Sequence, residues 1–222
     1  MLSLLFWLLF LFLTSLLGVV LFRFVPVYFT PLMVIRAIEQ VKNDEQRQFH
    51  HKWVRYDEIS DEFKKAVIAS EDQRFFEHNG FDQKEIKKAI EERRSGKQRR
   101  GASTISQQTA KNVFLWPRSS WLRKGLETYF TILIELIWSK ERILHVYLNS
   151  IEMGRGVYGA EAAANVHFGT TAQRITTHQA ALVAATLPNP LLYSAQQPSN
   201  YIYKRQAFIM GQMRNIRLPQ DR

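Results

Sequence analysis

Three clusters of polar residues in this chain could carry chemistry. The first is Glu71-Asp72, two adjacent acids closing a segment in which Phe63, Ala66, Val67 and Ser70 recur at helical spacing and Ser60 can cap the start. Negative charge at a helix C-terminus opposes the dipole. Asp72 is accounted for by a salt bridge with Arg74 or by exposure. Glu71 follows the apolar stripe and can be half buried, which raises a carboxyl pKa and makes it a better proton acceptor near neutral pH. The alternative is that the pair is structural.

The second cluster is Arg100–Asn112. Its Gly101-Ala102-Ser103-Thr104 entry brings backbone close and opens a helix whose free N–H groups suit an anion, unless Ser103 is simply the N-cap. Gln108, Lys111 and Asn112 share one helical face. Amide, ammonium and amide suit sugars and phosphates; a solvated face has the same pattern. The third cluster is Arg123-Lys124-Gly125-Leu126-Glu127, where both cations meet Glu127 on one face at the start of the most hydrophobic helix. A carboxylate there needs cationic partners to stay charged. It is either a salt-bridge cluster or an anion site with an adjacent acid. Glu135, in the same helix, is expected to pair with Arg142.

Other chemistries are poorly supported. The chain has no cysteine, which removes thiol catalysis, disulfides and thiolate metal sites. His50 and His51 adjoin, poor geometry for one metal, and no zinc, P-loop, Rossmann or G-x-S-x-G spacing occurs. Thirty Lys+Arg against 20 Asp+Glu give a net charge of +10. Lys84–Arg100 is densely basic but lacks interleaved aromatics, so lipid headgroups or a lipid-linked phosphate fit better than nucleic acid.

The elements that position these clusters read as mainly helical. Residues 1–22 carry 18 apolar side chains and no charge. As a helix they span roughly 33 Å, enough for a bilayer core, and the lack of a basic leader or small-residue cleavage site favours an uncleaved anchor. Arg23, after the span, mildly favours the orientation opposite to that of an exported domain. Residues 23–55 read as a juxtamembrane segment, with Pro26 and Pro31 breaking a continuous helix and Tyr28 and Phe29 suited to the interface. Residues 56–222 read as one domain. Its helices are expected near 82–94, with Ile86, Ala89 and Ile90 inward, at Thr104–Leu115, around Leu126–Trp138 as the central buried helix, at 160–168, at 178–187 behind a Thr176/Gln179 capping box, and at Ser199–Arg214. Ser95–Ser103 reads as a glycine-containing basic loop. No sheet is expected.

Six ordered segments then carry a resemblance: EDQRFFEHNGFD (71–82), RRGASTISQQTAKNVFLW (99–116), RKGLETYFTILIE (123–135), SKERILHVYLN (139–149), GRGVYGAEAAANVHFG (154–169) and AALVAATLPNPLLYS (180–194). Together they cover most of residues 56–194, and the chain resembles the family 51 peptidoglycan glycosyltransferases. With no room for a transpeptidase domain, it is similar to the monofunctional Gram-negative branch with its short anchor.

The resemblance implies a lysozyme-like helical domain that polymerises lipid II on the periplasmic side of the inner membrane, alongside other cell-wall synthesis and division proteins, and that moenomycin inhibits. It implies that Glu71 is the general base, taking the proton from the GlcNAc 4-hydroxyl as it attacks MurNAc C1 with inversion. Glu127 is then the second carboxylate, organising cations or assisting departure of the pyrophosphate. Lys111, Arg123 and Lys124 supply charge to that pyrophosphate, and Ser103, Thr104, Gln108 and Asn112 line the donor cleft. No cofactor is required, although Mg or Mn helps some members. Where members often carry an arginine this chain has Ser119, and Arg118, one position earlier, is expected to bind the substrate pyrophosphate in its place. His145 and His167 replace a common acid and a common aromatic and are expected to be structural. Two competing functions are a lytic enzyme cleaving finished glycan and a non-catalytic anchored scaffold.

Overall fold

The computed structural model describes residues 2–43, 48–95 and 103–219. Helix α1 (Leu2–Phe24) carries the apolar run, and its Leu5–Phe24 stretch is long and apolar enough to cross a membrane. An extended segment follows. Pro31 then starts a helix rather than merely breaking one, since it occupies the first turn of α2 (Pro31–Lys42) behind the Thr30 cap. α2 buries Met33 but leaves an apolar strip exposed. Gln40 turns inward and bonds the backbone of Gln48, while Val34, Ile38 and Val41 face outward, each about half exposed.

The domain core forms where α3 (Asp61–Glu71) packs on α9 (Thr177–Thr186) and α10 (Asn200–Met213), and where α5 (Ile105–Phe114) packs on α6 (Trp121–Ile137) and α7 (Lys140–Ser150). Alanines 180, 181, 184 and 185 are fully buried, and such small side chains let α9 approach its neighbours closely. The expected central helix is not α6, which leaves Leu122, Ile132 and Leu136 exposed. The buried one is α7, whose residues Ile143, Leu144 and Val146–Ser150 all lie inside. Hydrophobicity nearly all round α6 predicts burial in protein, but among the described residues α1 covers only part of its Leu122–Leu136 face.

The remaining helices are α4 (Gln83–Arg94), capped by Asp82, and α8 (Ala160–Phe168). Thr176 and Gln179 form the expected capping box. Contrary to expectation there is a small sheet, in the order β1 (His50–His51), β3 (Val157–Tyr158), β2 (Glu152–Gly154). Strands of two or three residues leave no alternation to read. Of the basic loop 95–103, residues 96–102 lie outside those described.

Gly80 is where the chain after α3 meets α5 and α6. Its φ is +87°, its carbonyl accepts from Thr104 Oγ1 at 2.6 Å, and a Cβ there would lie 2.8 Å from Thr131 Cγ2. Gly80→Ala is therefore expected to destabilise the domain by about 2 kcal/mol or more, read as a lower melting temperature. An unchanged melting temperature would show that the turn relaxes freely.

Candidate active site

Glu71 ends α3 and lines two cavities. One, of about 410 Å³, is bounded by Gln108, Lys111 and Asn112 of α5, by Arg36 and Glu152, and by the Leu187–Leu191 turn after α9. The other, of about 250 Å³, is bounded by Arg74, Asp82, Lys88, Ser103 and Thr104. A larger cavity of about 650 Å³ lies over α2 and is lined almost wholly by apolar side chains, away from these polar groups.

The Glu71 carboxylate accepts from Gln108 Nε2 at 2.8 Å and lies 3.1 Å from Ser70 Oγ. Burial pushes its pKa above the ordinary carboxylate value, while the Gln108 and Ser70 donors pull part of the way back. Gln108 is itself fixed. The hydroxyl of fully buried Tyr147 donates to its Oε1 at 3.0 Å, which turns its amide N–H toward Glu71. Sequence reasoning missed Tyr147, which reads as one more apolar position of α7. Tyr147→Phe is expected to leave the fold intact and lower turnover about tenfold by freeing the Gln108 amide. Unchanged turnover would remove Tyr147 from the positioning of the base.

Asp72 corrects two expectations. It is buried rather than paired with Arg74, accepting from His78 Nε2 at 2.9 Å and from the Ile105 backbone N–H at 3.0 Å. The N-terminus of α5 is thus partly satisfied by a carboxylate of the protein itself. Thr104, not Ser103, is the N-cap and forms a capping box with Gln107. Arg74 bonds Glu77 and Asp82 instead.

Behind α5, buried Glu127 accepts from Arg123 Nη1 at 2.7 Å and from Lys124 Nζ. Glu127, Arg123 and Lys124 do not line either cavity. Lys111 connects the two zones. Burial pushes its pKa below the ordinary lysine value, Glu127 and Glu71 raise it, and Arg123 and Lys124 lower it. Asn112 is 3% exposed, lines the larger polar cavity, and its Nδ2 has no protein partner among the described residues. A buried, unpaired donor at a cavity wall suits a ligand oxygen. Arg118 is exposed before α6 and is not among the cavity-lining residues.

Glu135 does not pair with Arg142. It accepts from Ser106 Oγ and pairs with Lys140 at 2.7 Å, while Arg142 donates to the carbonyls of Phe22 and Val25 at the end of α1. His145 and His167 bond the carbonyls of Val54 and Met153, and burial lowers both pKa values, which fits structural roles.

The transglycosylase family model matches residues 36–214. The chain belongs to the transglycosylase family. It is 58% identical over 206 residues to a biosynthetic peptidoglycan transglycosylase of Bacteroides thetaiotaomicron, covering 93% of this chain and 83% of the relative. It is 54% identical over 202 residues to a protein of the same name from Bdellovibrio bacteriovorus, covering 91% and 81%. A third, from Caulobacter vibrioides, is 52% identical over 188 residues, covering 85% and 80%.

The divalent metal that helps some transglycosylases can be tested against the donor set. Among the described residues, ligand atoms of Asp72, His78 and Asp82 converge within 4.8 Å. Each acid is already engaged: Asp72 as above, and Asp82 by Arg74 at 2.8 Å and the Lys84 and Glu85 N–H groups. With a guanidinium standing where a metal ion's charge is needed, this set does not fit a resident metal.

Proposed function

We propose that this chain is a peptidoglycan glycosyltransferase that polymerises lipid II into β-1,4 glycan with inversion at MurNAc C1. The observation that carries the reading is Glu71, a half-buried carboxylate shared by two cavities, one of them of mixed lining that includes Lys111 and Asn112. In this reading the donor pyrophosphate occupies the Lys111–Asn112 cavity. Thr104, expected at the donor cleft, lines only the other cavity and Ser103 lines both, and in this reading the acceptor sugar enters from their side.

Glu71 takes the proton of the GlcNAc 4-hydroxyl as its oxygen attacks MurNAc C1, and the C1–O bond to the pyrophosphate breaks on the opposite face. The leaving group is already acidic, so it needs charge neutralisation rather than a strong acid. Lys111 supplies that charge directly, and Arg123, Lys124 and Glu127 set the field around it. In this reading α1 anchors the domain in the inner membrane with the catalytic part on the periplasmic side, where a lipid-linked substrate and other cell-wall synthesis proteins would meet it; the support is the length and apolarity of Leu5–Phe24.

The test is incubation of the full-length protein with labelled lipid II in detergent. Long glycan that moenomycin suppresses is the expected product. Absence of polymer, together with release of soluble fragments from isolated sacculi, would replace this reading with a lytic one.

A further inference from the structure

Among the described residues, two basic side chains line the cavity of Gln108 and Asn112: Lys111 and Arg36. Arg118, Arg123 and Lys124, expected at the pyrophosphate, are not in its lining. A pyrophosphate joining a sugar to a lipid carries two negative charges, and a third develops as the bond to the sugar breaks. Lys111 alone offsets one of them. An unmatched charge in a partly closed site is costly, so the cavity calls for a second cation.

Arg36 lies on α2, before the six segments that carry the family resemblance. α2 packs on α5, the helix of Lys111 and Asn112. Leu32 and Arg36 stand one turn apart on the face of α2 that lines the cavity. The guanidinium there is only partly engaged. Its Nη1 donates to Glu39 Oε2 at 2.8 Å, but the Glu39 side chain is half exposed, and such a pair holds weakly. Its Nε lies 3.5 Å from Glu152 Oε2, which is ion-pair distance but beyond a normal hydrogen bond. That N–H is buried and has no hydrogen-bond partner among the described residues. Glu152 is itself buried and lines the same cavity. Two acids therefore hold Arg36 in place without filling its fork of donors.

We infer that Arg36 is a second phosphate-binding residue of this cavity, its guanidinium meeting from α2 the pyrophosphate that Lys111 meets from α5. This rests on the reading of the cavity as the donor site. A guanidinium matches phosphate oxygens in pairs, whereas an ammonium offers a single point of charge, so the two cations have different parts. Lys111 supplies charge, and Arg36 distinguishes a pyrophosphate from a monophosphate.

The experiment compares full-length wild type, Arg36→Gln, Arg36→Lys and Glu152→Gln. It measures polymerisation of labelled lipid II and its inhibition by farnesyl pyrophosphate and by farnesyl phosphate. Arg36→Gln is expected to lower kcat/KM about tenfold or more, the size of one lost hydrogen bond to a charged group. It should also lose most of the wild type's preference for the pyrophosphate inhibitor. Arg36→Lys should recover part of both. Glu152→Gln breaks the same ion pair but leaves the guanidinium free, so its preference for the pyrophosphate should be kept or increased. An equal loss of preference in Arg36→Gln and Glu152→Gln, whatever their melting temperatures, would overturn the inference and reduce the pair to a tie between α2 and β2. Wild-type kinetics and preference in Arg36→Gln, or equal inhibition of the wild type by the two compounds, would overturn it as well. Absence of polymer from the wild type would instead overturn the donor reading beneath it.

Discussion

Glu71→Gln is expected to lower glycan polymerisation by about a thousandfold, within the usual range for loss of a general base. The substitution keeps the volume and still offers Gln108 an acceptor, so substrate binding should survive. Its stability effect has the opposite sign. The folded-state pKa of Glu71 is raised, so between the unfolded and folded pKa values the native state holds more protons and wild-type stability falls as pH rises. Above that window the wild type carries a half-buried carboxylate whose charge burial opposes, and the Gln variant does not. A melting temperature at pH 7 equal to or above that of the wild type, with turnover nearly abolished, is the expected pair of results. The wild-type rate should also rise with pH through a value above the ordinary carboxylate range. Normal polymerisation by Glu71→Gln would sink the assignment of the base.

Glu127→Gln should cost both turnover and stability. It leaves Arg123 buried without its counter-charge, and breaking a buried pair destabilises by about 3–5 kcal/mol. Lys111 loses the largest influence holding its pKa up. Lys111 must be protonated to meet a pyrophosphate, so activity is lost as pH rises through its pKa. Removing Glu127 lowers that pKa and moves the alkaline limb toward neutrality. Turnover should fall about a hundredfold at pH 7 and recover partly at lower pH, until Glu71 itself protonates. A loss of turnover with no shift of the alkaline limb would mean that Glu127 acts on the leaving group itself rather than through Lys111.

Much of this site was legible in the sequence because its parts sit on helices. The spacing of Gln108, Lys111 and Asn112 put them on one face, and that of Arg123, Lys124 and Glu127 predicted their cluster, since i+3 and i+4 neighbours need no tertiary information. The structure departs from expectation where partners are distant in sequence. Asp72 meets the start of α5, Arg142 meets the end of α1, and Tyr147 meets Gln108. Local charge pairing suggested Arg74 and Glu135 for the first two, and nothing local marked the third. The exposed face of α6 departs from its expected burial for a related reason: hydropathy reports how apolar a face is and not what covers it.

The Gln108 amide is spoken for at both ends, by Tyr147 and by Glu71, and it also forms part of the cleft wall. A compound bound in that cleft therefore touches a group that sets the proton affinity of Glu71. Substitutions at Gln108 selected for weaker inhibitor binding should also slow wall synthesis, which narrows the route to resistance through this residue.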